Sequence, residues 1–253
     1  MDEKNKNCTF SIPVSLGLDA EGNNQSMDLL QAPNLLIAGT ADSGKDSFVE
    51  SLIRSVFQSA GASDVRVAIA NLAGKEMDCF NTDVHMMASA IHKVNECLGV
   101  MDFLADETER RAKLFTVINA KKISEYNELI AGRPELGSRL PYLVFIIDEI
   151  AGPMKLQRLR FDRQIRRITA ISRFVGIHLV FATSIVSPDV ITPVLYSNFP
   201  TAIAFRLDNK YQSKMILNRT GAEELKEGEM MWRGNGPVVD QSGAPVVTCS
   251  CGV

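Results

Sequence analysis

Short runs of apolar residues alternate along the chain with longer stretches in which apolar positions recur every three or four residues. Continuous apolar runs are typical of strands buried on both faces, and the longer periodic stretches are typical of amphipathic helices. Strands joined by helices in this way predict an α/β fold with a mainly parallel sheet and helices on both faces. The predicted strands cover residues 10–17, 34–38, 65–70, 143–147, 179–182 and 202–205.

Helices are predicted between these strands. From Ser47 to Ala60, the apolar residues Phe48, Leu52 and Val56 fall on one helical face. Three more helices precede the most apolar strand, and a Gly-Arg-Pro break ends the last of them. These three helices are predicted over residues 82–104, 107–118 and 124–130.

A glycine-containing turn follows the second predicted strand. Its sequence, Gly-Thr-Ala-Asp-Ser-Gly-Lys-Asp, has the G-x-x-x-x-G-K spacing of phosphate-binding loops that lie between a strand and a helix. In such loops the backbone N–H groups surround an anion and the helix N-terminus adds its dipole, while the lysine reaches the outer phosphates. We therefore predict a nucleotide-binding loop made of Gly39, Thr40, Ala41, Asp42, Ser43, Gly44, Lys45, Asp46 and Ser47.

Two carboxylates depart from this loop pattern. Asp46 stands where a Ser or Thr hydroxyl normally ligates Mg²⁺, and Asp42 adds a second negative charge. A carboxylate close to the phosphates repels them by roughly a few kcal/mol in a partly buried site, although Asp46 could itself ligate Mg²⁺. The sequence thus predicts ATP and Mg²⁺ as ligands, both weakened or lost if the loop has diverged, and leaves open whether ATP is hydrolysed.

An acid pair, Asp148-Glu149, ends the most apolar strand. In P-loop enzymes the first acid of such a pair binds Mg²⁺ and the second polarises the attacking water. Taken alone, the pair is more typical of a strand that ends in solvated acids. Its position downstream of the glycine loop on the same parallel sheet favours the nucleotide site, with Asp148 and Asp46 as metal ligands and Glu149 as a catalytic residue.

A cluster of basic residues follows the acid pair and contains a single acid, Asp162. Such a cluster is typical of a solvated helix face or a subunit interface, and also of a surface that contacts nucleic-acid phosphates, which requires charge but no sequence-specific geometry. Because only Phe161 and Phe174 interleave, stacking on a single strand is disfavoured and duplex DNA is the predicted partner. The cluster consists of Lys155, Arg158, Arg160, Arg163, Arg166, Arg167 and Arg173.

Composition narrows the function classes. The chain has 253 residues, of which 45% are hydrophobic, and a formal net charge of −3, so contact with nucleic acid depends on a local patch. Its five cysteines form no framework, and no apolar segment is long enough to cross a membrane or to act as a signal peptide. We expect a cytoplasmic protein without direct membrane contact.

Nine short motifs occur along the chain, at residues 33–40, 109–114, 126–128, 141–149, 176–183, 189–192, 200–205, 213–217 and 221–225. In this order they resemble the FtsK/SpoIIIE DNA translocase motors. The resemblance covers roughly residues 10 to 245 and implies a RecA-like P-loop ATPase core, a single domain over 1–253 with a helical insertion at about 82–131 and without a membrane anchor or winged-helix domain. It also implies a homo-oligomeric, hexameric ring around duplex DNA.

The chain departs from the family pattern at several positions. Besides Asp46 in place of Ser or Thr and Asp42 in place of Gly, Lys214 stands where the family has an arginine that resembles a finger acting on the neighbouring subunit's nucleotide. Lys214 is therefore the second predicted catalytic residue. The family's Asp-Pro-Lys is replaced by residues 71–75, and its Gln-Arg-Pro by residues 184–186.

Matches and departures lead to two hypotheses. The first is an ATP-driven motor domain that acts on duplex DNA, with hydrolysis impaired by the altered loop. The second is a catalytically degenerate P-loop scaffold that serves a protein partner, similar to domains of type VII secretion ATPases. The basic cluster favours the first, and Asp46 with Lys214 favours the second.

Overall fold

The computed structural model describes residues 11–19, 21–75, 77–234 and the backbone of 247–248. In this part of the chain, nine strands form one sheet. The strands are β1 (Pro13–Leu18), β2 (Asn24–Asp28), β3 (Asn34–Ala38), β4 (Val65–Ala70), β5 (Tyr142–Ile147), β6 (Ile177–Thr183), β7 (Thr201–Ala204), β8 (Glu229–Arg233) and β9 (Val247–Thr248).

The α-helices connect these strands on both faces of the sheet. None of those in the described part of the chain has the length and apolar character needed to cross a membrane. The helices are α1 (Lys45–Ser59), α2 (Val94–Ile118), α3 (Ile123–Gly132), α4 (Ala151–Thr169), α5 (Ser172–Val175), α6 (Pro193–Asn198) and α7 (Lys210–Leu217).

The sheet has the strand order β2-β1-β9-β8-β7-β3-β6-β5-β4. The five strands from β7 to β4 are parallel, and the remaining strands pair antiparallel. Because β3 lies inside the sheet, between β6 and β7, the loop that follows it opens at the carboxyl edge of the parallel strands. That edge is where parallel α/β sheets bind ligands.

The strand β3 is buried on both faces. Leu36 and Ala38 pack into a core that includes α2 and α4, whereas Leu35 and Ile37 pack into a second core with α1 and β1. This alternation follows from the two-residue period of a strand. The predicted α/β fold, with a mainly parallel sheet covered on both faces, is confirmed.

Two helix predictions merge into one helix. The predictions over 82–104 and 107–118 are wrong in their boundaries, because α2 begins at Val94 and continues to Ile118 without a break. The residues between the two predicted segments, Ala105 and Asp106, lie inside the helix, and Ala105 is buried in the core. The predictions for α1 and α3 are confirmed to within two residues.

Residues 85–91 run along the outer edge of β4 instead of forming a helix. The N–H of Met87 donates to the carbonyl of Val67 at 2.8 Å, and the N–H of Ile91 donates to the carbonyl of Ile69 at 2.9 Å. An edge strand presents backbone groups that need partners, and this segment supplies them. Tertiary pairing therefore overrides the helical periodicity of the segment.

The strands β1 and β2 form an antiparallel hairpin, of which the sequence predicted only β1. The predicted strand over 10–17 corresponds to β1, which begins at Pro13, and Phe10 lies outside the described residues. Its partner β2 was missed because the sequence Asn-Gln-Ser-Met-Asp has only Met27 as a buried apolar residue.

Candidate nucleotide site and basic surface

Two glycines allow the loop between β3 and α1 to pass close to its neighbours. Gly44 has a φ of 92°, and a Cβ built on it would lie 2.9 Å from the Cα of Gly228. A Cβ on Gly39 would lie 2.8 Å from the Cβ of Phe205. Gly44 therefore requires glycine for its backbone conformation and for space, and Gly39 requires it for space.

The loop is fastened by backbone groups on its outer side. The N–H of Thr40 donates to the carbonyl of Arg206 at 3.0 Å, and the N–H of Gly228 donates to the carbonyl of Ser43 at 3.0 Å. Within the described residues, the N–H groups of residues 41–47 donate no hydrogen bond to the chain. These free amides lie at the positive end of α1, which is the arrangement that binds phosphate groups.

Three charged side chains are linked by hydrogen bonds: Lys45 and Asp46 at the start of α1, and Lys75 in the loop after β4. Lys45 is only 1% exposed, and its Nζ donates to Oδ1 of Asp46. The same carboxylate oxygen accepts a hydrogen bond from Nζ of Lys75 at 2.6 Å. The predicted loop lysine is therefore already paired with the carboxylate that replaces the usual hydroxyl, and we name this arrangement the Lys45–Asp46–Lys75 chain.

Burial and pairing act on these groups in opposite directions. Burial lowers the pKa of Lys45 below its ordinary value, and the nearby Lys75 ammonium lowers it further, while Asp46 opposes both effects. For Asp46, burial would raise the pKa, but the hydrogen bonds from Lys45 and Lys75 outweigh it and hold the pKa below the usual value. Asp46 is thus an ionised partner shared by two cations.

Lys75 belongs to the loop after β4 and is held by a neighbouring side chain. The buried Asn71 accepts from the N–H of Lys75 at 2.9 Å and donates to its carbonyl at 2.6 Å. The sequence marked residues 71–75 as a departure from the family but gave Lys75 no role. The available signal was a lysine in a loop that follows a parallel strand, and therefore opens at the same edge as the glycine loop.

Asp148 is fully buried at the end of β5. Its carboxylate accepts hydrogen bonds from the N–H of Leu72 at 2.6 Å and from that of Ala73 at 3.3 Å. Burial raises the pKa of Asp148, while the Leu72 amide and the Lys75 ammonium act against that increase. Asp148 thereby joins β5 to the loop that carries Lys75.

Glu149 faces the end of β6 and the start of α4. Its Oε1 accepts from the Thr183 hydroxyl at 2.7 Å and from the N–H of Ala151 at 3.0 Å, and its Oε2 accepts from the N–H of Ser184 at 2.8 Å. Three donors thus fix the orientation of this carboxylate. Its role as a catalytic residue stays a prediction.

Lys214 lies on α7 and is exposed. Among the described residues its side chain has no hydrogen-bond partner, whereas its carbonyl accepts from the N–H of Asn218 at 2.9 Å. Its ammonium group is therefore accessible at the surface of the chain. The catalytic role assigned to Lys214 also stays a prediction.

The basic cluster divides into two arginines that pair with acids of α2 and five cations that are exposed, of which Arg158 lies 3.8 Å from Asp162 of its own helix. Arg160 forms an ion pair with Asp102 of α2, and Arg167 pairs with Asp106 at 2.8 Å and with Glu109 at 2.6 Å. These two arginines therefore join α4 to α2. The other five, which we call the exposed cations, are Lys155, Arg158, Arg163, Arg166 and Arg173.

Apolar side chains lie among the exposed cations. Leu156 is 69% exposed and Leu159 is 85% exposed on the first half of α4. The helix has non-helical backbone angles at Gln157, between them. Phosphate contacts require no leucine, so binding to phosphates does not account for these two exposed side chains.

The site fits phosphates better than it fits a divalent cation. The free amides of residues 41–47 and the lysines can surround phosphate oxygens. Asp46 and Asp148, the two predicted metal ligands, are already bound by ammonium and N–H groups. Among the residues that the structure describes, no group of three His, Cys, Asp or Glu side chains could hold a metal. As arranged, Asp46 and Asp148 do not fit a Mg²⁺ ion between them.

Sequence comparison gives a family. The pattern of the FtsK/SpoIIIE family matches residues 1–188. The chain is 37% identical over 233 residues to a DNA translocase FtsK of Borreliella burgdorferi, covering 92% of this chain and 30% of that protein. It is 35% identical over 236 residues to the DNA translocase SftA of Bacillus subtilis, covering 93% of this chain and 24% of that protein. The chain thus spans less than a third of the length of these relatives.

Structure comparison gives the same fold. The pCW3 conjugation coupling protein TcpA, in its monomer form with ATPγS, matches with a TM-score of 0.78 at 21% identity, over 94% of this chain and 65% of that one. ATPases 2 and 3 of EssC from Geobacillus thermodenitrificans match with a TM-score of 0.78 at 17% identity, over 94% and 44% of the two chains. At these identities the likeness establishes a P-loop ATPase fold.

Proposed function

The chain belongs to the FtsK/SpoIIIE family, and we propose that it is an ATP-binding motor domain that acts on duplex DNA and hydrolyses ATP slowly. In this proposal it works as a homo-oligomeric ring, in which Lys214 faces the nucleotide of the neighbouring subunit. The observation that carries the slow hydrolysis is the Lys45–Asp46–Lys75 chain.

Competition for Lys45 is the first reason for slow turnover. Opposite unit charges about 4 Å apart attract by about 4 kcal/mol at an effective dielectric constant of about 20. Lys45 and Asp46 attract each other with an energy of this order. A phosphate must therefore displace Asp46 from Lys45 before Lys45 can act on the nucleotide. Binding therefore survives, because the free amides remain, but the contribution of Lys45 is reduced.

Glu149 retains a geometry suited to a water-polarising role. A carboxylate has about four acceptor positions, and the hydroxyl of Thr183 and the N–H groups of Ala151 and Ser184 occupy three of them. About one position is left for a water molecule. An oriented carboxylate with one open position supports the assignment of Glu149 as the residue that holds the attacking water.

Lys214 is the second reason for slow turnover. An arginine finger contributes on the order of 10³–10⁵ to turnover in P-loop enzymes. A lysine at that position keeps the charge but lacks the bidentate fork that matches phosphate geometry. Transition-state stabilisation by the neighbouring subunit is therefore weaker than with arginine.

The test is ATP binding and phosphate release by the purified chain, with and without duplex DNA. We expect ATP to bind, phosphate release to be slow, and the double variant Asp46→Ser/Lys214→Arg to raise turnover by about tenfold or more. Lys113→Met, an exposed lysine of α2, is the control. Rapid, DNA-stimulated phosphate release by the unaltered chain would refute impaired hydrolysis.

A second candidate function is a scaffold that binds a protein partner. The exposed Leu156 and Leu159 favour it, because apolar side chains gain free energy from burial in an interface but not from contact with phosphates. Replacing both leucines with glutamine should leave affinity for duplex DNA unchanged if DNA is bound by charge. A loss of DNA affinity in this variant would instead place the leucines in the DNA contact.

A further inference from the structure

Lys75 places a second ammonium group at the edge of the sheet where the nucleotide is expected. Its Nζ lies 2.6 Å from Oδ1 of Asp46, and its side chain is 22% exposed. Its charge also acts on Asp148, the acid at the end of β5. The ammonium is therefore within electrostatic reach of both carboxylates that the sequence assigned to Mg²⁺.

The position of Lys75 is built into the fold. Asn71 holds the backbone of Lys75 through two hydrogen bonds, of 2.9 Å and 2.6 Å. Between these residues, the N–H groups of Leu72 and Ala73 bind the carboxylate of Asp148. The loop is thus fixed both to its own first residue and to β5, and its lysine is delivered to Asp46 at a defined place.

We propose that the ammonium of Lys75 takes the place of the divalent cation, so that this chain binds nucleotide without Mg²⁺. This inference rests on the proposed nucleotide binding and specifies how the phosphate charge is neutralised. Lys45 and Lys75 flank Asp46, and entering phosphates meet two ammonium groups and the free amides of residues 41–47. Asp46 holds the two lysines at the site until the phosphates replace it.

A lysine ammonium in place of Mg²⁺ provides less positive charge and less ordered coordination. An ammonium supplies one positive charge where Mg²⁺ supplies two, and it cannot arrange phosphate and water oxygens in an octahedral shell. Affinity for nucleotide is then lower than in a metal-dependent site, and the attacking water loses one source of activation. Metal-independent binding and slow hydrolysis are thus two consequences of the same replacement.

The experiment measures the affinity of the chain for a fluorescent ATP analogue in buffer containing either Mg²⁺ or EDTA. For the unaltered chain we expect the two dissociation constants to agree within about threefold. Lys75→Met should weaken binding in EDTA by about tenfold or more, since a charged contact to phosphate is lost. The control Lys113→Met should behave as the unaltered chain does.

A double variant tests the role of Lys75 independently. Asp46→Ser/Lys75→Met restores a hydroxyl at position 46 and removes the competing ammonium, so its nucleotide binding should require Mg²⁺. Thermal unfolding of each variant establishes that it is folded before binding is compared. Binding by the double variant that remains insensitive to Mg²⁺ would overturn the assignment of Lys75.

The possible failures are distinguishable. Nucleotide binding by the unaltered chain that requires Mg²⁺ overturns the inference about Lys75 and leaves the proposed function standing. No binding in either buffer overturns the proposed function, and the inference with it. Metal-independent binding that Lys75→Met leaves intact also overturns the inference, because another group must then neutralise the phosphates.

Discussion

Charged groups are arranged differently at the carboxyl edge of the parallel strands and along α4. At the edge, Lys45, Asp46 and Lys75 are bonded to one another and Asp148 is enclosed by backbone amides. Along α4 and α5, two of the seven basic residues of the cluster are paired with α2, and the other five are exposed.

This difference indicates where a change of one residue has large effects. Buried charges lose hydration, so each needs its partner and the removal of one partner is costly. Exposed charges are hydrated and screened, so each contributes little by itself and the group acts by its sum. The predictions below test this contrast, beginning with the largest expected effect.

Replacing the buried loop lysine should have the largest effect on ligand binding. We expect Lys45→Met to weaken nucleotide binding about a hundredfold, because a charge-assisted contact to phosphate is lost and Asp46 keeps only one cation. Equilibrium titration with a fluorescent ATP analogue measures this. A loss below about threefold would mean that the backbone amides alone bind the phosphates.

A buried group without a charged partner extends the contrast to stability. His178 in β6 is buried, its ring lies 5.9 Å from that of Tyr142, and burial together with the charge of Arg111 lowers its pKa to about 3. Between pH 6.5 and pH 3 the unfolded chain binds a proton that the folded chain does not, so stability falls as the pH falls through this range. At pH 5 this single group should lower the free energy of unfolding by about 2 kcal/mol relative to pH 8.

Urea unfolding of the protein from pH 8 to pH 5 measures the effect of His178. His178→Gln, which has no titrating ring, is the comparison variant and should show a shallower pH dependence by about the same amount. Equal pH profiles for the two proteins would contradict the prediction.

The exposed cations should act on DNA through their sum. We expect Arg163→Glu/Arg166→Glu to weaken binding of duplex DNA by about tenfold and to reduce the slope of log affinity against log salt by about 2. The matched single variant Arg167→Gln changes a residue of the same helix that is paired with Asp106 and Glu109. This control variant should mainly lower the free energy of unfolding, by about 1 kcal/mol or less. Fluorescence anisotropy with labelled duplex over a series of salt concentrations measures the DNA effect, and unchanged affinity in the double variant would remove α4 from the DNA surface.

The smallest effect is expected from the exposed carboxylate of the loop. Asp42 has a φ of 55°, a region that glycine adopts without strain. Asp42→Gly removes one screened negative charge, so nucleotide affinity should rise only about threefold. Measured beside Asp46→Ser in the same titration, it should give the smaller increase, and a larger increase for Asp42→Gly would reverse the assigned importance of the two acids.

Local patterns predicted the main elements of the fold. The apolar runs of β3 to β7 and the glycine spacing before α1 each lie within about ten residues, so the sequence contains the whole signal. The edge segment at 85–91 was predicted as helix because its partner, β4, lies some twenty residues earlier. The strand β2 has no apolar run to reveal it.

The pairing of charges was beyond the reach of sequence spacing. Asp46 was correctly singled out as a departure, yet its partner Lys75 is 29 residues away and Asp148 binds a loop 76 residues earlier. In the same way, Arg160 and Arg167 could be counted as part of a basic cluster, but their pairing with α2 depends on how two helices pack. Composition gives the number of charges, and only the fold determines which of them remain exposed.

The segment along the outer edge of β4 also limits how the protein can assemble. The carbonyl of His85 accepts from the N–H of Val67, and the guanidinium of Arg66 donates to the carbonyls of Val84 and Met86, at 3.2 Å and 2.9 Å. A peptide or a second subunit that docks by adding a strand needs unpaired donors and acceptors at a sheet edge. At β4 the carbonyls of Val67 and Ile69 and the N–H of Val67 are occupied by residues 85–91, so a partner cannot extend the sheet by pairing with these groups.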